Sequence, residues 1–145
     1  MKPSPIEIRP AAGGEELAEA FRLREEVFVF ELGMFAKTDR DQHDNRAIHL
    51  VALDDGRVVG TVRVYREGGG WMGGRLAVGK HYRRGVGRKL VKAAEEEVRR
   101  QGGGSMQALI QSQNVAFFER LGWRRAGSPL EYLGRTHHRM EKIFR

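Results

Sequence analysis

Apolar and polar positions follow two rhythms along this chain. Ile6-Glu7-Ile8-Arg9 alternates with a period of two and predicts a first strand. Leu17, Ala20, Phe21, Leu23, Val27, Phe28 and Phe30 then make a helical stripe to about residue 31. Gly13-Gly14 precedes it, and Glu15-Glu16 suit the positive end of a helix dipole. The phenylalanines of this stripe read as core. Two apolar runs, Ile48–Leu53 and Val58–Tyr65, flank Asp54-Asp55-Gly56-Arg57, and Asp-Gly in that setting predicts a hairpin. Gly68-Gly69-Gly70 separates the second run from Trp71–Val78, giving three antiparallel strands. Helical spacing returns at Val86, Leu90, Val91, Ala94 and Val98, with i,i+4 pairs Glu95–Arg99 and Glu96–Arg100 on the polar side. Gly102-Gly103-Gly104 ends that helix. Met106–Ile110 reads as a short buried strand, and Val115–Leu121 as a short helix stopped by Gly122. Trp123–Ala126 and Arg139–Phe144 close the sheet. The order predicts a mixed α/β fold, a central and mostly antiparallel sheet with helices on both faces.

At 145 residues the chain reads as a single domain, 1–145. No apolar run approaches the ~18 residues of a membrane span. Met1–Pro10 lacks the apolar centre of a signal peptide, so a cytoplasmic protein with no membrane partner is expected. The absence of cysteine rules out disulfides, thiolate catalysis and a cysteine zinc site. The net charge of +7 is concentrated at 80–92 and 120–125. Charge alone permits nucleic-acid affinity, but no DNA- or RNA-binding motif accompanies it. The sharper reading is a basic mouth for an anionic ligand.

The ligand is placed by one stretch. Arg75-Leu76-Ala77-Val78 forms a buried strand, and Arg83-Arg84-Gly85-Val86-Gly87-Arg88 opens the helix after it. The first turn of a helix carries unbonded N–H groups and a positive dipole end. Glycines allow close approach, and arginines add forked donors. A phosphate-bearing ligand at the start of this helix is the inference. The stretch is no P-loop, because no Gly-Lys-Ser/Thr follows, and it lacks the third glycine of a dinucleotide fingerprint. Elsewhere, Thr38-Asp39-Arg40-Asp41-Gln42-His43-Asp44-Asn45 crowds three acids. The glycine and final glutamate of a calcium loop are missing, so no metal is expected. These acids either bond their own backbone or bind a cationic substrate.

Three features together resemble the GNAT superfamily of N-acetyltransferases. Arg75–Val78 with Arg83-Arg84-Gly85-Val86-Gly87-Arg88-Lys89-Leu90-Val91 resembles its acetyl-CoA motif. Asn114-Val115-Ala116-Phe117-Phe118-Glu119-Arg120-Leu121-Gly122-Trp123 resembles its F-Y-E-K-L-G-F helix, and the element order fits. The resemblance implies acetyl-CoA as co-substrate and a small-molecule primary amine as acceptor, in a monomer or homodimer. It implies that Leu76, Ala77 and Val78 pair with the pantetheine arm. The N–H groups of Arg83, Arg84, Gly85, Val86, Gly87 and Arg88 would cradle the pyrophosphate, and Asn114 and Phe117 would flank the thiol end. Two departures stand out: Tyr82 holds a place usually Arg or Gln, and Phe118 replaces the tyrosine that often protonates the departing thiolate. Leu23-Arg24-Glu25-Glu26-Val27-Phe28-Val29-Phe30-Glu31, Asp41, Asp44, His49 and the tail Gly134–Met140 resemble a subgroup of small bacterial GNAT proteins. The N-terminal part of that pattern is also similar to acyl-homoserine-lactone synthases. An acetyl-CoA-binding module without turnover is the other alternative, motivated by Phe118.

Acetyl transfer needs a proton acceptor and a protonated leaving thiol. His137 and His49 titrate in the useful range, and Glu31 and Asp44 could act through water. His137, Glu31 and Tyr132 are the catalytic candidates, with Tyr132 a substitute for the missing acid.

Overall fold

The computed structural model describes residues 5–145; the first four residues, part of the Met1–Pro10 stretch, lie outside them. The chain runs β1 (Glu7–Pro10), α1 (Gly13–Arg24), β2 (Ile48–Asp54), β3 (Arg57–Glu67) and β4 (Gly70–Val78). It continues through α2 (Val86–Arg100), β5 (Ser105–Gln111), α3 (Val115–Arg120), β6 (Arg124–Arg125), β7 (Leu130–Tyr132) and β8 (Arg135–Ile143). The sheet order is β1-β2-β3-β4-β5-β8-β6, with β7 hydrogen-bonded to β8. All neighbours pair antiparallel except β4 and β5. Asp55 and Gly56 join β2 to β3 with φ of 51° and 81°, the left-handed pair that an Asp-Gly hairpin requires.

The continuous apolar run of β2 has a simple cause: both faces of the sheet are covered. Leu50, Ala52, Val62 and Val64 pack with Leu90, Val91, Ala94 and Val98 of α2. Val51 and Leu53 point the other way, onto Ala20 of α1, and Ala77 packs with Leu23, Val27 and Phe28. Alternation with period two sorts neighbouring residues between the two layers.

Several features differ from the expectation. Phe30, read as core with the other phenylalanines of its stripe, is 73 % exposed. The stripe to residue 31 is not one α-helix, for Glu25–Glu31 winds as a π-helix, a wider turn frequent at functional sites. β7 was not foreseen, and the last strand starts at Arg135 rather than Arg139. Leu133 and Gly134, with φ of 54° and 72°, turn β7 into β8. Thr136 is exposed and His138 half-buried, so this end of β8 carries too little apolar signal to be read from sequence. Among the described residues no helix is long and apolar enough to cross a membrane.

Two irregularities shape the site. β4 and β5 are parallel and paired only at Met72↔Gln107, so they part towards Val78 and Gln111. β4 also carries a bulge: Thr61 pairs with Ala77 but Arg63 with Gly74, leaving one extra residue on β4. Arg75, within it, has φ of 53°, a strained value for a residue with a Cβ.

Candidate active site

Where β4 and β5 part, a cleft of ≈ 760 Å³ opens. Leu76 and Val78 line it from β4, Ile110 and Gln111 from β5, and Phe28 and Leu32 from the π-helical segment and its end. Gly87, in the first turn of α2, reaches it as well. Gly85 precedes that turn with φ of 94°, a conformation costly for any residue with a Cβ. No side chain caps the helix, and its first bond runs from the Lys89 N–H to the Gly85 carbonyl at 3.2 Å. The N–H groups of Val86, Gly87 and Arg88 therefore precede the bonded ladder.

Of the residues expected to hold the coenzyme, Leu76, Val78, Arg83, Gly87, Asn114 and Phe117 line the cleft. The side chains of Ala77 and Val86 are core residues on opposite layers, so only their backbone can serve a ligand. Arg84, Gly85 and Arg88 are exposed beside the turn. Arg83 is not the free donor that the sequence suggested. Its Nη1 donates to Glu31 at 2.6 Å, its Nη2 donates to the other carboxylate oxygen, and its Nε donates to the Val78 carbonyl at 3.2 Å. Tyr82 donates its hydroxyl to Asp54 instead of facing the cleft.

At the other end, His137 is 3 % exposed and lines the cleft opposite Gln111. Its Nδ1 lies 2.9 Å from the Arg135 carbonyl. A carbonyl only accepts, so Nδ1 carries a proton, and in the neutral imidazole the lone pair lies on Nε2. Tyr132 also lines the cleft, edge-on to this imidazole at 5.3 Å between centroids. Glu31 lines it too, but the Arg83 hydrogen bonds hold its carboxyl below the ordinary glutamate value. That makes Glu31 a weak proton acceptor, contrary to expectation. His49 does not line the cleft. Its Nε2–H donates to the Asp44 carbonyl at 3.0 Å, and its ring packs edge-on to Phe21 at 5.3 Å. Phe118 is buried edge-on to Trp123 at 5.3 Å. Tyr65 was overlooked: it lines the cleft, its ring stacks on His43 at 4.2 Å, and burial pushes its phenol above the ordinary value. Only its place at the end of an apolar run pointed to it, which suits a core residue equally well.

The acidic loop is the largest correction. Its carboxylates face arginines of the same chain, not a ligand. Arg24 and Asp39, each 1 % exposed, pair at 2.7 Å, and the Arg24 fork also grips Asp44 at 2.8 and 3.0 Å. Arg63 donates to Asp41 at 2.6 and 2.8 Å and to Asp44 at 2.8 Å. Arg75, at the bulge, donates to the Asp39 carbonyl at 3.0 and 3.1 Å. Asp41 also caps the short turn Gln42–Asn45, as local backbone bonding predicted. Among the described residues, Arg63 Nε is the one buried side-chain polar atom left without a partner.

This network makes stability depend on pH. Burial holds the His49 imidazole below its ordinary value. The native state therefore resists a proton that the unfolded chain accepts, and stability falls as pH drops through about 6.5. Burial works to raise Asp41 and Asp44, but the hydrogen bonds, Arg63 foremost for Asp41 and Arg24 for Asp44, outweigh it and hold both carboxyls low. Their contribution is complete above about pH 4 and is lost below it. Urea unfolding at pH 8, 5.5 and 3.5 is expected to show decreasing stability at each step. The first step shrinks in His49→Gln.

A cleft between parted parallel strands, with a bulged strand on one side and a glycine-led helix start at its end, defines an acyl-CoA N-acyltransferase fold. The chain belongs to the GNAT acetyltransferase family: a family model described as an acetyltransferase (GNAT) domain matches residues 17–144. It is 34 % identical over 115 residues to the uncharacterized N-acetyltransferase YjcF of Bacillus subtilis, covering 79 % of this chain and 82 % of that one. Among solved structures it resembles an acyl-CoA N-acyltransferase from Pseudomonas aeruginosa, with TM-score 0.86, 21 % identity and coverage of 96 % and 100 %. It also resembles the CoA-dependent acyl-homoserine lactone synthase BjaI, with TM-score 0.79, 22 % identity and coverage of 97 % and 83 %.

Proposed function

We propose that this protein moves an acetyl group from acetyl-CoA to a primary amine of a small molecule, by direct attack within a ternary complex. The observation that carries the reading is the cleft itself, running from the uncapped start of α2 to His137 past the bulge of β4. Leu76, Ala77 and Val78 offer backbone groups to the pantetheine arm. The N–H groups from Arg83 to Arg88 take the pyrophosphate, and Asn114 and Phe117 flank the thiol end. Holding donor and amine together supplies most of the rate. A backbone N–H of the bulged strand polarises the thioester carbonyl.

The amine nitrogen forms a bond to the carbonyl carbon as its proton passes, directly or through water, to Nε2 of His137. The carbon–sulfur bond then breaks, and the thiolate takes a proton. Phe118 has none to give. Tyr132 and Tyr65 are the phenols of the cleft, and the raised Tyr65 phenol stays protonated at neutral pH. The test is calorimetric titration with acetyl-CoA, free CoA and dephospho-CoA, followed by amine-dependent release of CoA thiol. Micromolar binding weakened by loss of the 3′-phosphate, with release of thiol, supports the proposal. Binding without thiol release favours the second reading, a coenzyme-binding module, for which Phe118 is the motivating residue. His137→Ala is expected to lower kcat by ~10²-fold, a usual share for a proton acceptor, and to leave acetyl-CoA affinity within about twofold. Equal turnover would return His137 to a packing role.

A further inference from the structure

Among the described residues, those other than glycine with a positive φ are Asp55, Arg75 and Leu133. Asp55 and Leu133 lie in the turns that join β2 to β3 and β7 to β8, where the chain must reverse. Arg75, with φ of 53°, lies inside β4. Gly73 and Gly74 stand just before it and would take such a conformation without steric cost, yet neither does. A left-handed arginine within a strand persists only where its surroundings hold it there.

Its own side chain supplies the hold. Nε and Nη2 donate to the Asp39 carbonyl at 3.1 and 3.0 Å, and Nη2 also donates to Asp41 Oδ2 at 3.3 Å. The guanidinium carbon lies 4.7 Å from the Phe35 ring centroid. Each of these anchors is itself fixed. Asp39 is buried, and its carboxylate is tied to Arg24 of α1 at 2.7 Å. Arg63 of β3 grips Asp41 through both carboxylate oxygens. Phe35 packs with Leu23, Phe28 and Ala77. The planar fork of Arg75 thus runs from the bulge to a loop secured on α1 and β3.

The bulge is what this clamp maintains. Arg75 and Leu76 together stand opposite Val62, so one residue of the pair is left out of the ladder. Both line the cleft. We propose that Arg75 is a positioning residue: its side chain, anchored on Asp39 and Phe35, holds β4 in the bulged conformation that turns a backbone N–H to the thioester carbonyl of the bound acyl-CoA. The buried arginine–aspartate network then serves the reaction through the backbone of β4, without touching a substrate. This rests on the acetyltransferase reading.

Difference infrared spectra of the protein with acetyl-CoA, labelled with carbon-13 at the thioester carbonyl, read the polarisation directly and need no acceptor. A carbonyl that accepts the N–H bond absorbs at lower frequency than in free acetyl-CoA, and this lowering is expected in the wild type. Arg75→Ala loses the clamp but keeps the Cβ that resists a positive φ. The lowering is expected to vanish in it, and kcat for amine-dependent thiol release to fall on the order of 10²-fold, the share of one oxyanion donor, with acetyl-CoA affinity little changed. Arg75→Gly loses the same guanidinium but accepts φ of 53° freely, so it is expected to recover part of the lowering and of kcat. Glycine is the poorer strand residue, so a merely structural role predicts the reverse order, and a role for charge alone predicts equality. Arg75→Lys, which keeps the charge but not the fork, is expected to follow Arg75→Ala and takes its place if that variant does not fold. A wild-type carbonyl at its free frequency, an Arg75→Ala protein with the full lowering, or an Arg75→Gly protein no better than Arg75→Ala overturns the inference and leaves the acetyltransferase reading standing. Failure to bind acetyl-CoA removes both.

Discussion

Gly87→Glu is expected to weaken acetyl-CoA binding by ~10²–10³-fold while the protein stays folded. The position is suited to a clean test. A Cβ there meets only Val78 Cγ2, at 3.9 Å, and the backbone is helical, so the added Cβ brings neither a clash nor backbone strain. Its carboxylate sits in the first turn of α2, where the dipole favours negative charge, so the thermal midpoint is expected to hold or rise slightly. In the proposed site the same position places that carboxylate against the coenzyme phosphates. Two like charges about 4 Å apart cost roughly 4 kcal/mol at the effective dielectric of a protein surface, which is about three decades of affinity. Gly85→Glu is expected to lose binding too, but φ of 94° makes it a strained variant whose lost stability confuses the result. Calorimetry alongside thermal unfolding separates the two. Unchanged affinity in Gly87→Glu would move the phosphate site away from this turn.

Arg24→Met is expected to be the most destabilising single change. Arg24 is 1 % exposed and, among the described residues, is the one partner that grips both Asp39 and Asp44. Its loss leaves two buried carboxylates short of a counter-charge, at a cost of about 3–5 kcal/mol. In a chain of this size that lowers the thermal midpoint by on the order of 10 °C. Arg24→Lys is expected to rescue little, because one ammonium cannot reproduce a fork that reaches two carboxylates. The loss concerns a loop whose Arg40, Asp41, Gln42 and His43 line the cleft; with the amine at that end, as proposed, its KM is expected to suffer more than coenzyme affinity in whatever protein remains folded. Urea unfolding gives the free energy; a loss under about 1 kcal/mol would mean that water or Arg63 and Arg75 replace Arg24 without penalty.

The correct and the incorrect readings differ in what carries the information. Asp55-Gly56 is a hairpin in the sequence because only a few residue types accept two successive left-handed conformations. The strand-turn-helix at 75–98 is legible because burial imposes periods of two and 3.6 on neighbouring residues. The acids of the loop are a different matter. Asp39, Asp41 and Asp44 sit beside one another in the chain, but their partners lie on α1, β3 and β4. No periodicity announces a pair such as Arg63 and Asp41, so the cluster looked free. Arg83 misled for the same reason, since its partner Glu31 is 52 residues away. His137 was nominated from the ordinary chemistry of histidine within a tail that resembles a family motif, and the start of its strand went unread because the residues beside it are polar.

The sequence by itself determined the order of strands and helices as far as α3, the Asp55-Gly56 hairpin turn and the glycine-led helix start, because each is written in residues close along the chain. Tertiary structure alone decided the charge of the cleft. It neutralised the acids of the loop and of Glu31, fixed the tautomer of His137, and brought Arg135 to Leu32 across 103 residues of chain. Ion pairs and hydrogen bonds are contacts in space between side chains whose separation in sequence is arbitrary, so which donors keep a free edge for a ligand emerges only when the chain is folded.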